Sequence, residues 1–337
     1  MRVVRATAPA SSGEAPPILD DARLQAARTI RARFPLAHLH QLMLFRAAQL
    51  DAVADPSGKT RIWLAPESMQ ITGSFKVRGA LLAMANLAAK HVDVVAASAG
   101  NHGAAVAFAA KLLKMKARVV VPATAPKVKC ARIADGAEVV YSEATGYDEA
   151  EALAKRIAEE SGAYFLSPYD DLDIIAGNGA SLGFEIANAL GKQPDCVIAP
   201  FGGGGLATGL ACALPQSKVW GVQSEASPAM AMSLEKNEAI EKFVPTEPTL
   251  AEGLEGGISK RAFDRARRVV AGVVVVEERC ILHAMNHAAR ELGLVLEGSA
   301  AAALAPILEG APEEIRGGDV VVVLTGRNTD HVPGKSS

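Results

Sequence analysis

Residues 195–209 read DCVIAPFGGGGLATG. A β-branched run ends at Pro200, four glycines follow, and an apolar helical pattern begins at once. Strand, glycine turn and helix in direct succession mark a parallel α/β unit, in which ligands bind beyond the carboxyl ends of the strands. Consecutive glycines leave a row of backbone N–H groups uncrowded at the positive end of a helix, an arrangement that suits a phosphate. A plain tight turn would ask for fewer of them. A Walker A loop is excluded, because no Lys-Ser or Lys-Thr pair follows. A dinucleotide site stays open at this point. Gly202, Gly204 and Ala207 satisfy the GxGxxG/A spacing, and Glu225 lies past the next strand.

The same alternation extends outward in both directions. Strands are predicted at 93–98 (DVVAAS), 117–121 (ARVVV), 137–141 (AEVVY), 195–200, 218–222 (KVWGV), 273–276 (VVVV) and 319–325 (DVVVVLT), with amphipathic helical stretches between them. Continuous apolar strands interleaved with helices predict parallel sheets covered on both faces. The loops directly after strands then carry the chemistry, and two more stand out beside 201–209: SAGNHG (98–103) and TGRN (325–328).

Composition narrows the function classes. Half of the 337 residues are hydrophobic and 21% are charged, a balance that builds a sizeable core and argues against disorder. The net charge of -2, without a long basic run, speaks against a nucleic-acid partner. Cys130, Cys196, Cys212 and Cys280 are scattered without metal-ligand spacing, so neither zinc nor a disulfide framework is expected. No apolar run reaches the roughly 18–20 residues of a membrane span. The opening MRVVRATAPASSGEAPP lacks a signal peptide's apolar stretch and is expected to be a mobile tail, with the protein cytoplasmic.

In SAGNHG, Ser98, Asn101 and His102 surround Gly100 at a strand-to-helix turn. Free amides, a hydroxyl and a carboxamide suit a small anion such as a substrate carboxylate, although a helix N-cap would use the same residues. Upstream, QITGSFKVRGA (70–80) places Lys76 after a glycine turn and an aromatic residue. A lysine is nucleophilic only when neutral, so its pKa must be brought down by burial or a neighbouring cation. A phosphate cradle, a carboxylate nest and such a lysine together fit a phosphate-bearing aldehyde held as a Schiff base, which is pyridoxal 5'-phosphate.

ESMQITGSFKVRGA, SAGNHG, FGGGGLATG, EGSAAAA (297–303) and LTGRN (324–328) occur in the order and rough spacing of the threonine/serine dehydratase family of pyridoxal-phosphate enzymes. The chain resembles that family over roughly residues 25 to 330. The resemblance implies a two-lobed, tryptophan-synthase-β-like fold. Its expected layout is a tail at 1–17, a large cofactor-binding domain from 18–82 and 162–330, a small domain at 83–161 and a C-terminal tail at 331–337. By the same resemblance Lys76 carries the Schiff base and moves the α-proton, and Phe75 packs beside the cofactor ring. Asn101 contacts the phenolic oxygen, while Ser98, Asn101 and His102 line the substrate carboxylate site. Gly202, Gly203, Gly204, Gly205 and Leu206 bind the phosphate, and Thr325, where the family usually has serine, meets the pyridine nitrogen. The implied reaction is α,β-elimination from a serine- or threonine-like amino acid to a 2-oxo acid and ammonia, in a homodimer or other homo-oligomer.

Some positions depart from the family pattern. Ala99 replaces the second serine of the racemases and has no proton to exchange, which favours elimination over racemisation. Glu225 matches one metal-binding carboxylate of related enzymes, but Ala231 stands where the aspartate would be, so no metal is expected. LAPE (64–67) replaces a Leu-Lys-x-Glu pattern, and Arg327 stands where glycine is usual. Arg327 faces solvent or reads a second anionic group on the substrate. A β-replacement enzyme or racemase of the same fold is the alternative, and a nicotinamide dehydrogenase, resting on 202–207 and Glu225, leaves Lys76 and Thr325 without a role. Only HVPGKSS (331–337) follows the last predicted strand and loop, and no appended regulatory module is expected.

Overall fold

Valine-rich runs account for the framework. In the computed structural model, which describes residues 1–7 and 16–329, they form two sheets. The strands are β1 (Arg2–Arg5), β2 (Phe45–Arg46), β3 (Thr60–Ala65), β4 (Val94–Ala97), β5 (Ala117–Val121), β6 (Glu138–Tyr141), β7 (Tyr164–Phe165), β8 (Cys196–Pro200), β9 (Lys218–Ser224), β10 (Gly272–Val276) and β11 (Gly318–Val323). The larger sheet has the order β1-β10-β9-β8-β11-β3-β2 and the smaller β6-β5-β4-β7. The smaller sheet is parallel throughout. In the larger one the strands from β10 to β3 run parallel, and β1 and β2 close its two edges antiparallel. Strands such as β8, buried at every residue, explain the continuous apolar runs: both of their faces are covered.

Four strands were not legible in the sequence. β3 (TRIWLA) interrupts its apolar run with an exposed Arg61, although it lies inside the large sheet beside β11. β2 and β7 are two residues each, too short for a periodicity. β1 corrects the expectation of a mobile tail at 1–17 for its first residues: Val4 is buried, Arg2 ion-pairs with Glu235 at 2.9 Å, and the strand pairs with β10, while residues 8–15 of that segment lie outside the described residues. β7 joins the small sheet at residues 164–165, past the boundary expected at 161. The segment 331–337 lies outside the described residues.

The helices that shape the site follow strands or glycine turns. They are α1 (Lys76–Ala88), α2 (Asn101–Leu113), α3 (Lys127–Ala134), α4 (Tyr147–Ser161), α5 (Ser181–Leu190) and α6 (Gly205–Ala213). A π-helical turn, Ala176–Ala180, leads into α5, and its small residues allow α6 to cross closely. A methyl group on Gly209 would stand 2.3 Å from the Ile175 carbonyl oxygen, so only hydrogen fits there. This crossing sets α6, and hence the glycine turn at its start, against the segment that precedes α5.

Candidate active site

Lys76 opens α1, directly after a turn in which Gly73 adopts φ +78°, a conformation open to glycine. The loop after β11 grips this turn. Phe75 N–H donates to the Thr325 carbonyl at 3.0 Å, Arg327 N–H donates to the Gly73 carbonyl at 2.9 Å, and Ser74 bridges to Gly326. Two residues into the helix, fully buried Arg78 donates to Glu67 at 2.7 and 2.8 Å and to Glu185 at 3.1 and 3.0 Å. The start of α1 is therefore clamped on two sides. Lys76 Nζ donates to the Pro168 carbonyl at 3.2 Å and stands 5.1 Å from the centre of the Phe75 ring.

Burial brings the Lys76 pKa down to about 8, against a smaller opposing pull from the Glu297 carboxylate. The ammonium is desolvated without a close counter-charge, so its neutral form is favoured. Reaction of the apo-protein's Lys76 with an aldehyde reagent should accordingly rise with pH through a midpoint near 8, since the lysine is protonated below it and neutral above. A rate that stays low until pH 10, measured by the absorbance of the imine, would contradict this.

The glycine turn leads from β8 into α6. Gly204 has φ +80°, and a methyl group on Gly203 would lie 2.3 Å from the Tyr169 ring. None of the backbone amides of residues 202–206 donates a hydrogen bond to another described residue. A row of open N–H groups at a helix N-terminus is an anion cradle. The segment after β7 joins this cradle to the lysine: the Pro168 carbonyl holds Lys76 Nζ, and Tyr169 packs against Gly203 and Gly205.

At the start of α2 the amides of Asn101, His102 and Gly103 are likewise without partners among the described residues, while Gly100 N–H donates to Ser98 Oγ at 3.1 Å. Asn101 Nδ2 donates to Glu297 Oε1 at 2.7 Å. Asn101 Oδ1 accepts from Asn328, whose own amide N–H donates to Glu297 Oε2 at 3.2 Å. His102 is buried. Its Nε2 lies 3.1 Å from the Leu166 carbonyl, and Nδ1 has no partner. Burial, then the Lys76 charge, pushes its pKa down to about 3, so the ring is neutral, with Nε2–H donating to the Leu166 carbonyl and Nδ1 left unprotonated.

Thr325 is buried, and its hydroxyl makes no hydrogen bond within the described chain. Leu206 is buried behind the glycines. The residues named from sequence thus converge: the Lys76 turn on the Thr325 loop, that loop on Asn101 through Asn328 and Glu297, and the lysine on the glycine cradle through 168–169. Arg327 stands apart, exposed, with its guanidinium donating to the Ser68 carbonyl at 2.7 Å. Glu225 is exposed and Ala231 buried, and among the described residues no three His, Cys, Asp or Glu side chains gather to hold a metal.

Glu297 and Asn328 were not singled out from sequence, although both lie in quoted motifs. Glu297 is pushed up to about 6 by burial, eased by its bond from Asn101. Its signal was the acid that opens EGSAAAA, a carboxylate at the N-terminus of a short helix. A pyridoxal phosphate fits these residues. The chemistry of the donor set suits it: open amides for a phosphate, a lysine of depressed pKa for an aldehyde, and the unpartnered neutral hydroxyl of Thr325 for a ring nitrogen.

Residues 44–326 match the family described as pyridoxal-phosphate dependent enzyme. An L-threonine ammonia-lyase of Thermotoga maritima is 37% identical over 279 residues, 80% of this chain and 67% of that protein. The catabolic L-threonine dehydratase TdcB of Escherichia coli K12 is 36% identical over 280 residues, 81% of this chain and 84% of its own. Among solved structures, maize serine racemase superposes with a TM-score of 0.83 at 27% identity, covering 93% of this chain and 94% of that one. The processed threonine deaminase isoform 2 of Solanum lycopersicum gives 0.83 at 28%, covering 98% and 89%.

Proposed function

Because the chain belongs to the pyridoxal-phosphate dependent enzyme family, we propose that it is an ammonia-lyase that converts a serine- or threonine-like β-hydroxy amino acid to a 2-oxo acid and ammonia. The observation that carries this reading is Lys76: a half-buried lysine with its pKa lowered to about 8, joined by one short segment to a cradle of open amides. Relatives named threonine ammonia-lyase and threonine dehydratase support the reaction class.

Bound here, pyridoxal phosphate supplies an aldehyde that captures the substrate's amino group and a ring that draws electrons from its α-carbon. The protein's own groups do the rest. Amides of residues 202–206 would hold the phosphate, Phe75 would flank the ring, Asn101 would meet the phenolic oxygen, and the neutral Thr325 hydroxyl would serve the ring nitrogen. The open amides at the start of α2, with Ser98 and His102, receive the substrate carboxylate. Lys76, neutral above about pH 8, would take the α-proton. Water leaves from the β-carbon, and a second water returns in hydrolysis as ammonia departs, so the net change is amino acid to 2-oxo acid plus ammonia.

The racemase structure at TM-score 0.83 gives the second reading its support. Against it stands Ala99, which offers no hydroxyl to return a proton to the other face. Incubation of the holoenzyme with L-serine and L-threonine should release 2-oxo acid and ammonia in equal amounts, followed by a coupled reductase and by ammonia assay. Conversion of one enantiomer to the other without oxo acid would overturn elimination. A homo-oligomer and a cytoplasmic setting complete the proposal. No helix among the described residues is long and apolar enough to cross a membrane.

A further inference from the structure

Glu297 stands just before the short helix Gly298–Ala301, half-buried, and the cations that face its carboxylate are Lys129 and Lys76. Its backbone N–H donates to the Gly326 carbonyl at 3.1 Å. A methyl group on Gly326 would stand 2.5 Å from Glu297 Oε1, so that glycine lets the carboxylate close on the loop after β11. Both carboxylate oxygens meet donors. Oε1 accepts from Asn101 Nδ2 at 2.7 Å, and Oε2 accepts from the Asn328 backbone N–H at 3.2 Å. A glutamine here would offer one acceptor and one donor to two groups that both donate.

The side chains that lead to Glu297 form a chain with a fixed sense. Arg132 can only donate, and it does so to Asn328 Oδ1 at 3.1 Å. The Asn328 carboxamide therefore turns its NH2 the other way, to the Thr72 carbonyl at 3.1 Å and to Asn101 Oδ1. Asn101 in turn points its NH2 at Glu297, which when ionised can only accept. With an obligate donor at one end and an obligate acceptor at the other, neither amide can flip without losing bonds on both of its sides. Glu297 takes one hydrogen of Asn101 Nδ2, and the second has no partner among the described residues. We propose that Glu297 is a positioning residue for the elimination: it fixes the Asn101 carboxamide so that this second hydrogen is presented to the cofactor's phenolic oxygen. This rests on the lyase reading above and adds to it a residue that acts through Asn101.

The test is a double-mutant cycle of Glu297→Gln with Asn101→Ala. It is read in the affinity of the apo-protein for pyridoxal phosphate, by equilibrium dialysis, and in kcat and KM for L-serine and L-threonine. Glu297→Gln should weaken cofactor binding about tenfold, the scale of one hydrogen bond to a charged group. It should lower kcat by a similar factor and leave KM within about threefold of wild type. On the Asn101→Ala background the same exchange should change affinity and kcat less than about twofold, because the side chain it positions is gone. Glu297→Asp keeps the charge but is one methylene short of Asn101, so it should lose affinity as Glu297→Gln does. Titration of Lys76 in the apo-proteins with an aldehyde reagent separates charge from position. Its midpoint should stay at about 8 in Glu297→Asp and fall in Glu297→Gln, where the carboxylate that raises it is absent. Should Glu297→Gln fail to fold by circular dichroism, Glu297→Asp carries the same cycle. Wild-type affinity in both variants, a loss confined to the uncharged one, or a loss that persists in full on Asn101→Ala would overturn the proposal. Found in an enzyme that releases oxo acid, any of these leaves the lyase reading standing. A wild type that takes up no pyridoxal phosphate and releases no oxo acid overturns the lyase reading, and the proposal with it.

Discussion

Replacement of Lys76 by alanine should remove covalent cofactor binding and lower kcat/KM for oxo-acid release by about 10⁴-fold or more, since in the proposed reaction one side chain supplies both the Schiff-base amine and the base. The purified variant should lack the visible absorption band of the wild type, and any pyridoxal phosphate it retains through the cradle at 202–206 should be lost on dialysis. Stability should move the other way. Wild-type Lys76 has its charge disfavoured by burial, so the apo form of the variant should melt at the same temperature as wild-type apo-protein or above it when measured below pH 8, where the native lysine is charged. A variant that keeps the band and the activity would show that another lysine does this work.

The second large effect is on the fold itself. Arg78→Met should destabilise the apo-protein by about 3–5 kcal/mol, because Glu67 and Glu185 would be left as uncompensated carboxylates in the interior. Urea unfolding followed by circular dichroism measures it. Removing both acids together with the arginine should restore most of the loss, since the cost lies in breaking the network rather than in lacking it. A loss below 1 kcal/mol would contradict the clamp described at the start of α1. The pH dependence has a definite sign. Burial acts to raise the Glu185 pKa, but Arg78 and its hydrogen bonds outweigh that and hold it below the ordinary 4.5. Its contribution is therefore complete above pH 4.5 and is lost as the pH falls through the depressed value.

The sheets were legible where strands are buried on both faces. Runs such as VVVV at 273–276 admit few other readings, and the glycine row at 202–205 announces its strand and helix together. Elements at the edges were not. β1 and β2 pair on one side only, and each is short; in β3 the outward-facing Arg61, held by Asp319, breaks a run that is otherwise central to the sheet. Periodicity cannot see a partner strand that lies more than two hundred residues away.

The candidate site divides along similar lines. Lys76, Asn101, the glycines and Thr325 stand in loops whose composition carries a backbone requirement, so the residue types advertise the geometry. Glu297 and Asn328 join the cluster through contacts that form only in three dimensions. Asn328 touches Thr72, Asn101 and Arg132, from three separate parts of the chain. Arg327 shows the converse. It breaks the family pattern in a loop of the site and left two readings open in sequence, facing solvent or reading a second anion; it is exposed and donates to the Ser68 carbonyl.

The most direct measurement is chemical. Borohydride reduction of the holoenzyme, followed by proteolysis and mass spectrometry, should place a reduced pyridoxyl-phosphate group on the peptide that contains Lys76 and on no other. A label on a different lysine, or none on a protein that nonetheless releases oxo acid, would contradict the assignment of Lys76 as the Schiff-base residue.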